Sequence, residues 1–198
     1  MEPQQALNDP NQFVHVRMVL SMVVSLALAR LLSGLAGFVQ HPLRKRVHAP
    51  HLLWSAFMFV LLIHFWWWEF SLIHLARWHF GSFAFVVGYA SVLYLMCALL
   101  FPDDVAEYGG YRGYFEAKRV WLFAILAFVL LLDIADTHLK GPAHWQAHSP
   151  QIWWRTVVGL ALCALAAWIK PLRLQIGLGV LGAVCQVAWI VYLYNALE

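Results

Sequence analysis

Residues 119–138 read RVWLFAILAFVLLLDIADTH, an almost unbroken apolar run closed by two aspartates. Crossing the hydrocarbon core of a bilayer takes roughly 20 predominantly apolar residues at about 1.5 Å each. The run is continuous, whereas a membrane β-strand alternates lipid-facing and lumen-facing residues. It therefore reads as a membrane-spanning helix. Five further stretches qualify on the same ground, at about 18–39, 51–69, 80–101, 152–169 and 172–195.

Composition leads to the same class. Of 198 residues, 63% are apolar and only 12% charged, with a mean hydropathy of +0.69. Soluble domains carry about 45–50% apolar and about 25% charged residues, so this excess exceeds what one core can hide. A soluble monomer, a disordered chain and a collagen-like fibre are excluded. The expected fold is all-α: one integral membrane domain over residues 1–198, a polytopic bundle of six transmembrane helices contacting the lipid bilayer. Three spans on each side of the loop at 102–118 allow an inverted 3+3 repeat, as in many transporters.

Several other classes fall away. A net charge of +3, with no basic run longer than Arg44-Lys45-Arg46, argues against a nucleic-acid partner. Cys97, Cys163 and Cys185 lie in apolar runs without C-x-x-C spacing and read as small hydrophobes. Ala27-Leu28-Ala29 has the form of a signal-peptidase site, but Glu2 and Asp9 precede it against Arg17 alone. The first span is therefore expected to stay uncleaved. Gly177, Gly179 and Gly182 spell G-x-G-x-x-G inside a membrane helix with no preceding strand, so no dinucleotide site is read there.

Orientation follows from the basic residues near the helix ends. Arg44, Lys45, Arg46, Arg112, Lys118, Arg119, Lys170 and Arg173 lie in loops one, three and five. Arg17, Arg77, Lys140 and Arg155 lie toward the other side. This excess places loops one, three and five in the cytoplasm and both termini outside.

Charges left inside the spans are costly in lipid, and they usually face the bundle interior. Arg30 shares a helical face with Ser33, Gly34, Gly37 and His41. Asp133, Asp136 and Lys140 share one face of the fourth span, and the last two, four residues apart, can pair within the helix. At about 1.5 Å per residue, Asp133 and Arg155 lie roughly 7 and 5 Å below the outer surface, and Arg30 roughly 18 Å. Arg155 is thus the better-matched partner of the aspartates, with Arg30 deeper on the same path. Gln175, Gly179, Gly182 and Gln186 form a stripe on the sixth span suited to a helix interface or pathway wall. The expected polar network is Arg30, Asp133, Asp136, Arg155, Gln175 and Gln186; no residue is singled out as catalytic.

Ten histidines are the other anomaly. His64, His74, His138, His144 and His148 map to the outer side with Glu69, a donor set suited to a transition metal. His144 and His148 are four apart, although Gly141, Pro142 and Pro150 argue against a helix there. Trp66-Trp67-Trp68 and Trp153-Trp154 read as an interfacial aromatic belt. Pro102-Asp103-Asp104 looks like the start of a short surface helix, broken by Gly109, Gly110 and Gly113.

The segments His41–Arg46 (HPLRKR), His64–Phe70 (HFWWWEF) and Asp133–Gly141 (DIADTHLKG) together resemble a family of uncharacterised bacterial polytopic inner-membrane proteins of about this length. The resemblance implies a bacterial inner membrane and carries no activity. Three functional readings stand open. The first is a small homo-oligomeric transporter or channel moving an ion or small solute past the intramembrane charges. The second is a membrane-embedded metal-binding or redox enzyme using the outer histidines. The third is a non-catalytic sensor or accessory subunit. The topology is checked by fusing reporters after Glu198: a periplasm-dependent reporter is expected to be active, and activity of a cytoplasm-dependent one overturns the orientation.

Overall fold

Hydrocarbon offers backbone amides no water, so each apolar stretch must close its hydrogen bonds within itself, and a helix does this. The computed structural model describes residues 11–40, 48–75 and 78–195; His41, Arg44, Lys45, Arg46 and Arg77 lie outside the described residues. Six helices follow one another: α1 (Asn11–Gln40), α2 (Ala49–Trp68), α3 (Phe80–Leu100), α4 (Tyr111–Leu139), α5 (Pro142–Trp168) and α6 (Leu172–Asn195). Short 3₁₀ turns at Glu69–His74 and Ala106–Tyr108 extend α2 and precede α4. There is no strand among the described residues, and all six helices are long and apolar enough to cross a membrane. The chain is an all-α, multi-pass membrane protein.

Local chemistry sets the helix ends. α2 opens with Pro50 in its first turn, where a missing N–H costs nothing. At the start of α3, His79 and Ser82 exchange bonds in a capping box. Gly109 and Gly110, at φ 68° and 111°, supply the left-handed backbone that turns the chain into α4. Gly141, at φ 103°, does the same between α4 and α5.

Three helices start well before their apolar runs, at Asn11, Tyr111 and Pro142 rather than at 18, 119 and 152. Hydropathy cannot see these turns, because they are polar and need not enter lipid. The segment 142–149, expected to be non-helical, is the opening of α5, with Pro142 in its first turn. Pro150 sits inside the helix and removes only the bond to the carbonyl of Gln146. Likewise, Gly113 does not break a surface helix but lies within α4.

Helices run alternately up and down, so the α1–α2, α3–α4 and α5–α6 connections share one end of the bundle. The broadest packing is α4 on α5, α1 on α3 and α2 on α6, while α2 also touches α1, α3 and α4. The inverted repeat is not visible in this pairing, because exchanging the two halves does not map these pairs onto one another. Adjacent α5 and α6 touch only sparsely. Between them, against α2 and α4, lies a cavity of about 580 Å³.

Close packing of α1 depends on Gly34. A Cβ there would overlap the ring of Phe101, which is itself held among Phe38, His51 and Tyr111. Gly88, on α3, has open space around it. Gly34→Ala is therefore expected to destabilise the protein by about 1–3 kcal/mol, the usual cost of overpacking. Gly88→Ala is expected to be neutral or slightly stabilising. Melting of the two variants in detergent, side by side, checks this.

Candidate functional site

At the end opposite those three connections, the last turn of α2, its 3₁₀ extension and the ends of α4 meet around one ammonium. Lys140 Nζ lies 2.5 Å from Asp136 Oδ2 and 3.2 Å from Glu69 Oε1, with the three side chains at most 2% exposed. Helical spacing puts Asp136 one turn before Lys140, while the 3₁₀ turn brings Glu69 in from α2. The indole N–H of Trp68 donates to the same Asp136 Oδ2 at 3.0 Å, and its ring lies 5.0 Å from the ammonium.

One turn earlier on α4, Asp133 is held from two sides. Arg155 on α5 approaches its Oδ2 at 2.5 Å, and the hydroxyl of Tyr89 on α3 donates to Oδ1. Arg155 also makes a long 3.5 Å contact with Gln186 Oε1 on α6 and lies 5.6 Å from the Trp189 ring. Gln186 in turn faces His64 Nδ1 at 3.4 Å. Five of the six helices thus contribute to one connected polar cluster within an apolar body.

A charged side chain in the membrane costs about 2.5–3.5 kcal/mol on insertion scales, so these groups persist by pairing. The pairing does not balance. Among the described residues, Glu69, Asp133 and Asp136 form ion pairs with two cations, Lys140 and Arg155, three carboxylates to two. Glu69 Oε2 and Asp136 Oδ1 are buried with no hydrogen-bond partner.

The opening turns of α5 cover this cluster. The rings of His144 and His148 lie 4.9 and 5.2 Å from that of Trp68 and 4.3 Å from each other. His138 packs on Trp145 at 5.5 Å. Each imidazole meets its indole in an edge-type contact.

Of the expected network, Asp133, Asp136, Arg155 and Gln186 come together and Arg30 and Gln175 do not. Arg30 bonds the Phe101 carbonyl at 2.6 Å and Asp103 at 2.7 Å, at the other end of the bundle. Arg30 lies too deep on α1 to reach the aspartates, and Ser33 on its expected inner face is exposed. Gln175 Nε2 bonds the carbonyls of Ala166 and Ile169 at 2.7 and 2.5 Å, capping α5. Arg119, counted as a loop charge, is buried and bonds Ala167 and Ile169 at the same helix end. Burial also holds the nearby imidazole of His48, at the start of α2, below its ordinary range.

Of the residues expected to bind metal, His144 and His148 lie side by side, and the other described ones have separate partners. Glu69 is taken by Lys140, His64 faces Gln186, and His138, His144 and His148 pack on tryptophans. His74 ends the 3₁₀ turn, and its side chain lies outside the described residues. Among the described residues no three His, Cys, Asp or Glu side chains converge on a point. Trp68, expected in the aromatic belt, is instead buried and bonded to Asp136. Tyr89 had no signal beyond being a hydroxyl in an apolar run. No family model, curated protein or solved structure matches the chain.

Lys140→Met is expected to destabilise the protein by about 3–5 kcal/mol, because it strands two buried carboxylates. Adding Glu69→Gln and Asp136→Asn is expected to restore most of the loss. Tyr89→Phe is expected to cost less, about 1.5–3 kcal/mol, the usual worth of a hydrogen bond to a charged group. Thermal melts of purified protein in detergent rank the variants.

Proposed function

We propose that this protein is a proton-linked transporter in a bacterial inner membrane, with both termini on the periplasmic side and assembly as a homo-oligomer. The observation that carries the reading is the count of ion-paired groups among the described residues: three buried carboxylates on two cations. Apolar surroundings favour neutrality. The missing positive charge is therefore a proton or a bound cation. A metal cation would sit against the Lys140 ammonium, which already occupies the space between Glu69 and Asp136. A proton needs no coordination sphere, and the two unpartnered oxygens offer it a place.

Transport also needs the proton to leave. The carboxylates form a chain, with Asp133 and Asp136 one turn apart on α4 and Lys140 joining Asp136 to Glu69. Arg155 and Gln186 carry this chain to the wall of the α5–α6 cavity. At its other end Glu69 lies beside a small gap shared with Arg17 on α1. Trp68 and the histidine-bearing turns of α5 close the cluster from above, so exchange requires these parts to move.

Proteoliposomes holding a pH-sensitive dye test the reading. An imposed pH gradient is expected to collapse faster with the wild type than in empty vesicles, and faster still with a permeant substrate. Glu69→Gln, which keeps shape and removes the titrating group, is expected to abolish the difference while the protein still melts cooperatively. Undiminished flux in Glu69→Gln and Asp136→Asn overturns the reading and leaves a structural staple.

A further inference from the structure

We infer that the α5–α6 cavity binds a single-chain anionic amphiphile, its carboxylate on Arg155 and its tail along the cavity. The inference rests on the proton-linked reading and names its substrate class. The cavity spans from Gly182 to Tyr192 on α6, roughly 15 Å at the helical rise. That length suits an extended acyl chain of medium length. Its volume of about 580 Å³ falls in the usual range for small-molecule sites.

The lining is divided by chemistry. Phe57, Leu126, Leu130, Val158 and Leu162 form apolar walls, whereas Arg155 stands beside Gln151 and Gln186. Among the described residues no carboxylate lines the cavity, and Arg155 is the one charged residue in its wall. A guanidinium carries five N–H donors and binds a carboxylate with two of them. Here one donor serves Asp133, and another makes only the long contact with Gln186. A cationic headgroup would meet Arg155 with like charge. A neutral one would forgo the charge-assisted bonds.

Charge conservation then links the ligand to the proton. A bound carboxylate competes with Asp133 for the guanidinium, adding one negative charge to a cluster already in excess. The cluster takes up one proton as the anion enters and releases it as the anion leaves. No bond other than O–H forms or breaks, and anion and proton move together without net charge.

The test uses purified full-length protein and dodecanoate brominated at its tail, which quenches indoles it touches, such as Trp154 and Trp189 in the cavity wall. Quenching is expected to saturate and to be reversed by plain dodecanoate, with dodecanol competing at least tenfold more weakly. Arg155→Gln is expected to weaken binding at least tenfold. Cys185→Phe fills the cavity from an exposed position away from the ion pair, so it is expected to abolish quenching with an unchanged melt. Because that variant leaves the cluster intact, the assignment stays open to disproof even if Arg155→Gln fails to fold. Equal competition by dodecanol, or wild-type quenching in Cys185→Phe, overturns the assignment. A pH dye in weakly buffered solution is expected to report one proton taken up per dodecanoate bound. Binding without proton uptake overturns proton-linked transport and leaves the cavity's occupant standing.

Discussion

A lysine ammonium held between two carboxylates inside a membrane bundle is the constraint on which the rest depends. Lys140 cannot leave Glu69 and Asp136 without stranding charge in hydrocarbon, so α2 and α4 are locked at that end. The second pair, Arg155 with Asp133, locks α5 to α4 in the same way. Each pair consists of groups that lipid would reject singly, and each is therefore a strong orienting contact between helices.

The two ends of the bundle solve different problems. At the connection-rich end, long polar side chains finish helices: Arg119 and Gln175 serve the last carbonyls of α5, and Arg30 serves the end of α3. Their partners are mostly backbone carbonyls, and Arg119 is buried there on carbonyls alone. At the other end the polar groups bond chiefly to one another, three carboxylates on two cations. That mutual pairing separates a site from a set of caps. The loose α5–α6 pair adds the second ingredient, an apolar space reaching Arg155 from the lipid-facing side.

How much of this was legible depended on the physical signal available. Six spans were readable because lipid imposes an apolar length on every crossing helix. The Asp136–Lys140 pair followed from helical spacing, and Asp133–Arg155 from matching depths. The same depths set Arg30 apart, and it pairs at the other end of the bundle with Asp103 rather than joining the path. Glu69 and Trp68 were assigned to a metal set and an aromatic belt, since composition cannot say that the turn after α2 folds them inward. Gln175 and Gln186 shared one stripe, yet a stripe long enough to span the bundle serves both ends. The opening of α5 escaped because its histidines, prolines and glycine read as a loop. In the folded chain Pro142 starts the helix and Pro150 is absorbed within it.

The proton proposed for the buried carboxylates is open to direct observation. Infrared difference spectroscopy reads this directly, since a protonated carboxyl has a carbonyl stretch distinct from that of a carboxylate. Wild type at neutral pH is expected to show one protonated carboxyl band that vanishes in the Glu69→Gln, Asp136→Asn double variant. A wild-type spectrum with carboxylate bands alone contradicts it.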